Sequence, residues 1–127
     1  MNVVDSSAWL EYFAGGPNAD AFAPAMEAAD DLVVPTVTVY EVFKRVYQQR
    51  GEGAAIQAVA LMQQGKVVDL TTHLALEAAR TSATLGLPMA DSIILATARS
   101  VGATLWTQDA DFAGVDGVEY RARPIPG

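Results

Sequence analysis

Residues Leu87–Phe112 read LPMADSIILATARSVGATLWTQDADF and contain the densest run of structural signals in the chain. The opening Leu-Pro pair favours the end of a preceding helix, and the apolar residues after Asp91 recur at helical spacing. A glycine then allows a tight turn before the short apolar segment Thr104–Thr107, which is typical of a strand. The stretch therefore predicts a helix that begins at one carboxylate and a strand that runs into two more, Asp109 and Asp111.

Strand and helix patterns alternate on both sides of this stretch. Upstream strands are predicted at Asn2–Val4, Leu32–Val34 and Lys66–Leu70, and an edge strand is predicted downstream at Val118–Tyr120. Short buried strands that alternate with amphipathic helices are typical of a parallel sheet covered on both faces. We therefore expect one α/β domain over residues 1–127, a three-layer α/β/α sandwich with a short parallel sheet, and a loose C-terminal tail over residues 121–127.

The helices between the strands follow from apolar spacing and from capping residues. A helix after Asp5 should end at a glycine pair, and the next one, over residues 19–29, should start late or break at Pro24. Thr36 and Thr72 are predicted N-caps of the helices over residues 37–50 and 73–85. The apolar stripes of the helices over residues 37–50 and 54–64 predict these inward residues: Val39, Tyr40, Val42, Phe43, Val46, Tyr47, Ile56, Val59, Ala60 and Met62.

Composition limits the classes of function. The chain has no cysteine, which excludes disulfides, thiolate metal ligands and a cysteine nucleophile, and its one histidine, His73, makes a zinc site improbable. Neither a GxxxxGK[ST] nor a GxGxxG phosphate loop is present. The 15 acids and 8 bases give a net charge of −7, which argues against a general nucleic-acid binder unless the acids surround a metal ion. An acidic surface could equally suit a basic protein partner.

The N-terminus lacks the features of a signal peptide, because it has no basic region and carries an acid at position 5. No apolar run approaches the roughly 18 residues that a membrane span requires. We expect a cytoplasmic protein with no membrane partner.

Four acids stand where strands or helices of the predicted sheet begin or end. Asp5 follows the first strand, Glu41 lies early in the helix after the second, Asp91 opens a helix and Asp109 follows Thr104–Thr107. Sites in parallel sheets form beyond the carboxyl ends of the strands, where all four can converge. Four close carboxylates repel one another, so at least one should have a raised pKa until a cation binds. Each acid also has an ordinary explanation as a helix cap, a turn residue or, for Glu41, an i, i+4 ion pair with Arg45.

Four segments together resemble the PIN-domain ribonucleases, and within them the VapC-like toxins of bacterial toxin–antitoxin pairs. The segments are VVDSS at residues Val3–Ser7, YEV at Tyr40–Val42, LPMADSII at Leu87–Ile94 and LWTQDADF at Leu105–Phe112. The resemblance implies an α/β/α sandwich that binds Mg²⁺ or Mn²⁺, cleaves RNA, usually forms a homodimer and is held inactive by a cognate antitoxin protein.

Carried over by position, the resemblance also implies the roles of individual residues. Asp111 would be an accessory metal-binding acid, and Ser6 and Thr107 would be supporting polar residues. Gln108 is a departure, because a basic residue is common at that place, and its presence is expected to weaken a phosphate contact. The acids implied to be both catalytic and metal-binding are Asp5, Glu41, Asp91 and Asp109.

The function expected on these grounds is Mg²⁺-dependent cleavage of RNA phosphodiester bonds by metal-activated water, leaving a 5′-phosphate and a 3′-hydroxyl. The bases available to hold RNA are Lys44, Arg45, Arg50 and Arg99. One alternative is a metal-dependent phosphatase of another α/β fold, although such an enzyme would prefer an acid at the position of Ser7. The other is a catalytically inactive PIN-like interaction protein whose acidic surface binds a basic partner.

Overall fold

Five parallel strands form the centre of residues 1–125, the part of the chain that this computed structural model describes. Their order across the sheet is β3-β2-β1-β4-β5, which places the first strand in the middle. In register, Val3 lies opposite Val33 on one side and Leu105 on the other. The strands are β1 (Asn2–Val4), β2 (Leu32–Pro35), β3 (Lys66–Val68), β4 (Thr104–Thr107) and β5 (Val118–Tyr120).

Helices connect the strands and cover both faces of the sheet. None of the helices in residues 1–125 is long and apolar enough to cross a bilayer. Two short 3₁₀ turns, Ala29–Asp31 and Ala110–Phe112, complete the regular structure of this region. The α-helices are α1 (Ser6–Ala14), α2 (Ala19–Glu27), α3 (Thr36–Arg50), α4 (Glu52–Met62), α5 (Thr72–Leu85) and α6 (Met89–Ser100).

Successive residues of the central strands point into two different cores, as the pleat of a strand requires. Val4 of β1 packs in a core made with α1, α2, α3 and α4, which contains Trp9 and Phe22. Val3 packs in the opposite core, mainly with Ile94 and Leu95 of α6. Helix α5 packs against α6 from outside. The predicted three-layer sandwich with a parallel sheet is confirmed.

The predicted inward faces of α3 and α4 were partly wrong. Tyr40 and Tyr47 are 64% and 52% exposed, while Val42 and Val46 fill the core. On α4, Ile56 is 55% exposed and Ala60 is also exposed, whereas the buried residues are Ala55, Ala58 and Met62. The small side chains of Ala55 and Ala58 allow α4 to pack closely against α3. The face of α4 that carries these alanines is therefore buried, and the face that carries Ile56 is exposed.

Helix boundaries also differ from those predicted. Helix α2 runs unbroken through Pro24, which occupies its sixth position. The proline removes one hydrogen bond near the exposed start of the helix, where water can satisfy the freed carbonyl. Thr71, not Thr72, caps α5, because its Oγ1 accepts from the amide of Leu74 at 3.2 Å. Pro35 precedes the first turn of α3, so Thr36 lies inside the helix.

The chain after β5 is tied to the body of the molecule. The amide of Arg121 donates to the carbonyl of Thr107 at 2.9 Å, and Asn18 Nδ2 donates to the carbonyl of Ala122 at 3.1 Å. The start of the predicted loose tail is therefore anchored, in contrast to the sequence-based expectation. The end of that tail, residues 126–127, lies outside the described residues.

Candidate metal centre

Acidic side chains from four parts of the fold meet at the carboxyl edge of the sheet. Asp5 follows β1, and Asp109 follows β4, which pairs directly with β1. Glu41 is in the second turn of α3, after the neighbouring strand β2, and Asp91 is in the first turn of α6. These acids also influence one another's pKa, so they form one cluster.

Asp5 is the most constrained of these acids. It is 2% exposed, and its Oδ2 accepts from Ser7 Oγ at 2.6 Å, from Thr107 Oγ1 at 2.9 Å and from the Ser7 amide at 3.3 Å. Its own amide donates to the carbonyl of Trp106 at 2.9 Å, which extends the β1–β4 ladder by one residue. All the hydrogen bonds to its carboxylate from residues 1–125 converge on Oδ2, so Oδ1 is the oxygen that remains for a ligand.

Glu41 is half-buried and is held by Ser6. The Ser6 hydroxyl donates to Glu41 Oε1 at 2.7 Å across the gap between α1 and α3. The alternative ion pair with Arg45 does not form, since the one ion pair within residues 1–125 joins Arg80 to Glu77. Glu41 therefore faces the acidic edge and not the solvated side of its helix.

Asp91, Asp109 and Asp111 have the closest mutual spacing in the cluster. One carboxylate oxygen from each lies within 4.8 Å of the others. Asp109 is oriented by its neighbours, because its amide donates to Thr107 Oγ1 at 3.0 Å and its Oδ1 accepts from the Asp111 amide at 2.9 Å. The hydrogen bond from the Asp111 amide to Asp109 Oδ1 caps the 3₁₀ turn, and this turn brings Asp111 close to the other acids. Asp111, which the sequence ranks below the four main acids, is thus placed beside two of them.

Burial and mutual repulsion raise the pKa of three of the acids. Burial is the largest cause for Asp5, whose pKa is raised even though hydrogen bonds from Ser7 and Thr107 act in the opposite direction. The pKa of Glu41 is also raised, by burial first and then by Asp5 and Asp109, against the hydrogen bond from Ser6. Burial together with the other four acids raises the pKa of Asp91 to about 7. The expected raised pKa in a crowded carboxylate cluster is present.

The donor set fits a hard divalent cation. Mg²⁺ takes oxygen ligands at about 2.0–2.1 Å in octahedral geometry, so two of its ligand oxygens are at most about 4.2 Å apart. The three oxygens of Asp91, Asp109 and Asp111 lie within 4.8 Å of one another, close to that range. A bound cation would also relieve the repulsion that raises the pKa of Asp91.

Sequence reasoning did not assign Ser7 to the site. Ser7 donates to Asp5 through both its hydroxyl and its amide, and its hydroxyl lies 3.3 Å from Thr107 Oγ1. The one sequence feature that indicates a role for Ser7 is its position two residues after a helix-capping aspartate. Ordinary helix starts have the same pattern. Its second contact, across the sheet to β4, depends on strand order and is invisible in the local sequence.

Comparison with known proteins gives one family and a set of similar folds. The PIN domain family model matches residues 3–118. No curated protein sequence matches the chain significantly. Three solved structures with the same fold are 14% to 20% identical in sequence to this chain.

A toxin–antitoxin complex from Klebsiella pneumoniae aligns with a TM-score of 0.83 at 20% identity, covering 98% of this chain and 100% of that one. VapC20 from Mycobacterium tuberculosis, described as a sarcin-ricin loop cleaving toxin, aligns with a TM-score of 0.79 at 20% identity and the same coverage of 98% and 100%. VapBC from Salmonella typhimurium, solved bound to DNA, aligns with a TM-score of 0.71 at 14% identity, covering 96% and 97% of the two chains.

Proposed function

The chain belongs to the PIN-domain family, and we propose that it is a Mg²⁺-dependent endoribonuclease whose acidic edge cleaves RNA by hydrolysis. The observation that carries the proposal is the convergence of five acids at one edge of the sheet, three of them within 4.8 Å of one another. Such crowding costs free energy in the absence of a cation, so a purely structural role explains it poorly.

Each acid has a distinct part in the proposed reaction. Asp91, Asp109 and Asp111 would hold the cation, and Asp5 would offer its unbonded Oδ1 as a further ligand. When bound, Mg²⁺ supplies an acidified water and neutralises charge on the phosphate. Glu41, whose pKa is raised, would accept a proton from that water or orient it. Mn²⁺ would substitute for Mg²⁺, since both prefer oxygen ligands.

Neutral, isosteric variants test this function. Asp5→Asn and Asp91→Asn should each lower Mg²⁺-dependent RNA cleavage by at least about a hundredfold, because each removes a ligand charge while keeping the shape of the side chain. Asp116→Asn, at an exposed acid in the turn before β5, is the matched control and should cleave normally. Cleavage of labelled RNA is followed by end-group analysis, with a 5′-phosphate and a 3′-hydroxyl as the expected ends. Parent-like cleavage by a folded Asp91→Asn protein would contradict the proposed site.

The similar structures support a role as the toxin of a toxin–antitoxin pair. Several of them were solved as toxin–antitoxin or VapBC assemblies. We expect a cognate antitoxin, acting in the cytoplasm, to bind this chain and suppress its cleavage of RNA. Adding the purified product of an adjacent small gene to the cleavage reaction tests this pairing, and undiminished cleavage in the presence of a stable complex would oppose it.

A homodimer is also part of the proposal. Apolar side chains are exposed around α5 and at the start of α6, with Leu76, Leu85 and Met89 at 54%, 44% and 76%. Exposed apolar side chains favour association with a second copy. Light scattering should give twice the 13.4 kDa mass of one chain, whereas a monomer at high concentration would exclude the dimer.

A further inference from the structure

A polar cleft of about 300 Å³ opens next to the acidic edge, between α1, α3 and the chain after β5. Two arginines from distant parts of the sequence, Arg45 and Arg123, line it together with Gln49, Gln108 and Ser7. Arg45 also lines a neighbouring cleft of about 290 Å³ that contains Glu41. The arginine pair is therefore continuous with the acidic site on its α3 side.

Arg123 is positioned by the buried amide of Gln108, which is 6% exposed. The two orientations of this amide have different partners. In one, the amide oxygen accepts from Asn18 Nδ2 at 3.1 Å but also faces the carboxylate of Glu11. In the other, the bond from Asn18 is lost, the amide oxygen accepts from Arg123 Nε at 3.2 Å and the amide nitrogen donates to Glu11 Oε2 at 3.2 Å. We assign the second orientation because hydrogen bonds to charged groups are the stronger ones. Because this bond uses Nε, it leaves both terminal nitrogens of the Arg123 guanidinium available for other partners.

The backbone of Gln108 connects this arginine to the acids. The Gln108 amide N–H donates to Ser7 Oγ at 3.3 Å, and Ser7 Oγ donates to Asp5 Oδ2 at 2.6 Å. The tail that carries Arg123 is anchored just before it by the hydrogen bond from Asn18 to the Ala122 carbonyl. The position of the guanidinium relative to the acidic edge is therefore set by a continuous chain of hydrogen bonds.

The charge of the cleft is opposite to that of the molecule. The chain carries 8 bases against 15 acids, yet two of these bases share this cleft with a single acid, Glu11. The Glu11 carboxylate accepts hydrogen bonds from the backbone amide of Asn18 at 2.9 Å and from the side-chain amide of Gln108 at 3.2 Å. Within residues 1–125 neither Arg45 nor Arg123 forms an ion pair with a carboxylate. Two unpaired guanidinium groups facing one cleft suit an oxyanion with several acceptor oxygens, such as a phosphodiester.

We propose that the cleft between Arg45 and Arg123 binds a backbone phosphate of the RNA strand next to the bond that is cut. This inference rests on the ribonuclease function proposed above. Arg45 and Arg123 contact the phosphate, and Gln108 is a positioning residue that acts through Arg123. The cleft thereby offsets the repulsion between RNA and an acidic protein at the place where the strand enters the active site.

The salt dependence of RNA binding tests the proposal. Binding of a labelled single-stranded RNA is measured by fluorescence anisotropy in the Asp91→Asn protein, which should not cleave it, at a series of salt concentrations. Each phosphate contact to single-stranded nucleic acid contributes about 0.7 to the slope of log affinity against log salt. Arg45→Gln and Arg123→Gln should each reduce the slope by about that amount and weaken binding several-fold at low salt. Arg121→Gln is the matched control, since this exposed arginine of the same tail lines a different cleft.

Gln108 is tested through its coupling to Arg123. In a Gln108→Ala background, Arg123→Gln should lower the slope by clearly less than 0.7, a change that a purely structural role of Gln108 would not produce. Circular dichroism confirms that each variant is folded. If Arg45→Gln and Arg123→Gln keep the slope of the Arg121→Gln control, or if the Asp91→Asn protein does not bind RNA, the phosphate cleft is wrong. Failure of the parent to cleave RNA in Mg²⁺ would instead overturn the ribonuclease function, while the slopes would still report on the cleft.

Discussion

Ser7 controls the orientation of Asp5, because its hydroxyl and its amide both donate to the same carboxylate oxygen at 2.6 and 3.3 Å. Removing the hydroxyl frees the carboxylate to rotate and removes a hydrogen bond that lowers its pKa. Ser7→Ala should therefore weaken Mn²⁺ binding by roughly tenfold, the lower end of what loss of a ligand-orienting hydrogen bond costs. Calorimetric titration measures the change, with Ser100→Ala, at the far end of α6, as the control. Equal Mn²⁺ affinity in the Ser7→Ala and Ser100→Ala proteins would show that Ser7 does not position Asp5.

Asp91 makes the stability of the metal-free protein depend on pH. Its pKa is about 7 in the folded protein, against the ordinary aspartate value of 3.8, so between these pH values the unfolded chain binds fewer protons than the folded one. The folded state is then destabilised as the pH rises through this interval, and the loss is complete above pH 7. With allowance for solvent screening at this half-exposed group, Asp91→Asn should be more stable than the parent by about 1 kcal/mol at pH 8 in EDTA, roughly 3–5 °C in Tm.

Thermal unfolding between pH 5 and pH 8 checks this dependence. The difference in Tm between Asp91→Asn and the parent should become smaller as the pH is lowered. The Tm of Asp116→Asn should follow that of the parent at every pH. A parent that is at least as stable as Asp91→Asn at pH 8 without metal would mean that Asp91 is not crowded by the other acids.

The convergence of the acids at one edge was predictable from the sequence, but the contacts that orient them were only partly so. Asp5 and Asp91 stand at helix starts that local patterns identify, and the sheet brings them to one edge as expected. The contribution of Ser7 and the close approach of Asp111 were not predictable, since both depend on how β4 and its following turn lie against β1. Side-chain direction at such positions is fixed by contacts between distant segments and not by local pattern.

The strands of the sheet are short and approach one another closely at Gly65, just before β3. A Cβ atom at this position would lie 2.9 Å from the carbonyl oxygen of Leu32 and 2.8 Å from its Cγ. Because the backbone oxygen cannot move without disturbing β2, Gly65→Ala should destabilise the fold by about 1–3 kcal/mol. Gly53→Ala is the matched control, since nothing lies within 4 Å of its Cβ and alanine in α4 should raise stability by up to about 1 kcal/mol. Chemical denaturation that ranks the two variants in the opposite order would contradict this packing of β2 against β3.

Strands and helices were predicted well in number and order, and less well in orientation. The strand segments are so apolar and so regularly separated by helices that a parallel sheet is the natural solution. Tyr40 and Ile56 were placed inward because bulk and hydrophobicity guided the choice of helix face. In the structure, the close packing of α3 and α4 selects small residues for the contact, and the large ones stay at the surface.

The whole molecule combines a net charge of −7 with an acidic candidate metal site, which at first sight disfavours RNA as a substrate. The structure separates the charges: acids gather at the carboxyl edge of the sheet, and Arg45 and Arg123 share the adjoining cleft. The proximity of Arg45 and Arg123 could not be predicted from the sequence, because the two arginines are far apart in the chain and the tail was predicted to be loose. The general architecture could be predicted from the sequence, because it follows from the alternation of strands and helices and from the PIN-like motifs.

Calorimetric titration with Mn²⁺ determines whether the acidic edge binds a divalent cation. The parent should bind Mn²⁺ at submillimolar to millimolar concentration, and at pH 6.5 the heat should vary with the ionisation enthalpy of the buffer, because Asp91, with a pKa of about 7, must release its proton. This buffer dependence should largely disappear at pH 8.5, and Asp91→Asn should bind far more weakly at both values. Absence of binding by the parent at several millimolar Mn²⁺, or equal binding by Asp91→Asn, would exclude the proposed metal site and favour a catalytically inactive interaction protein.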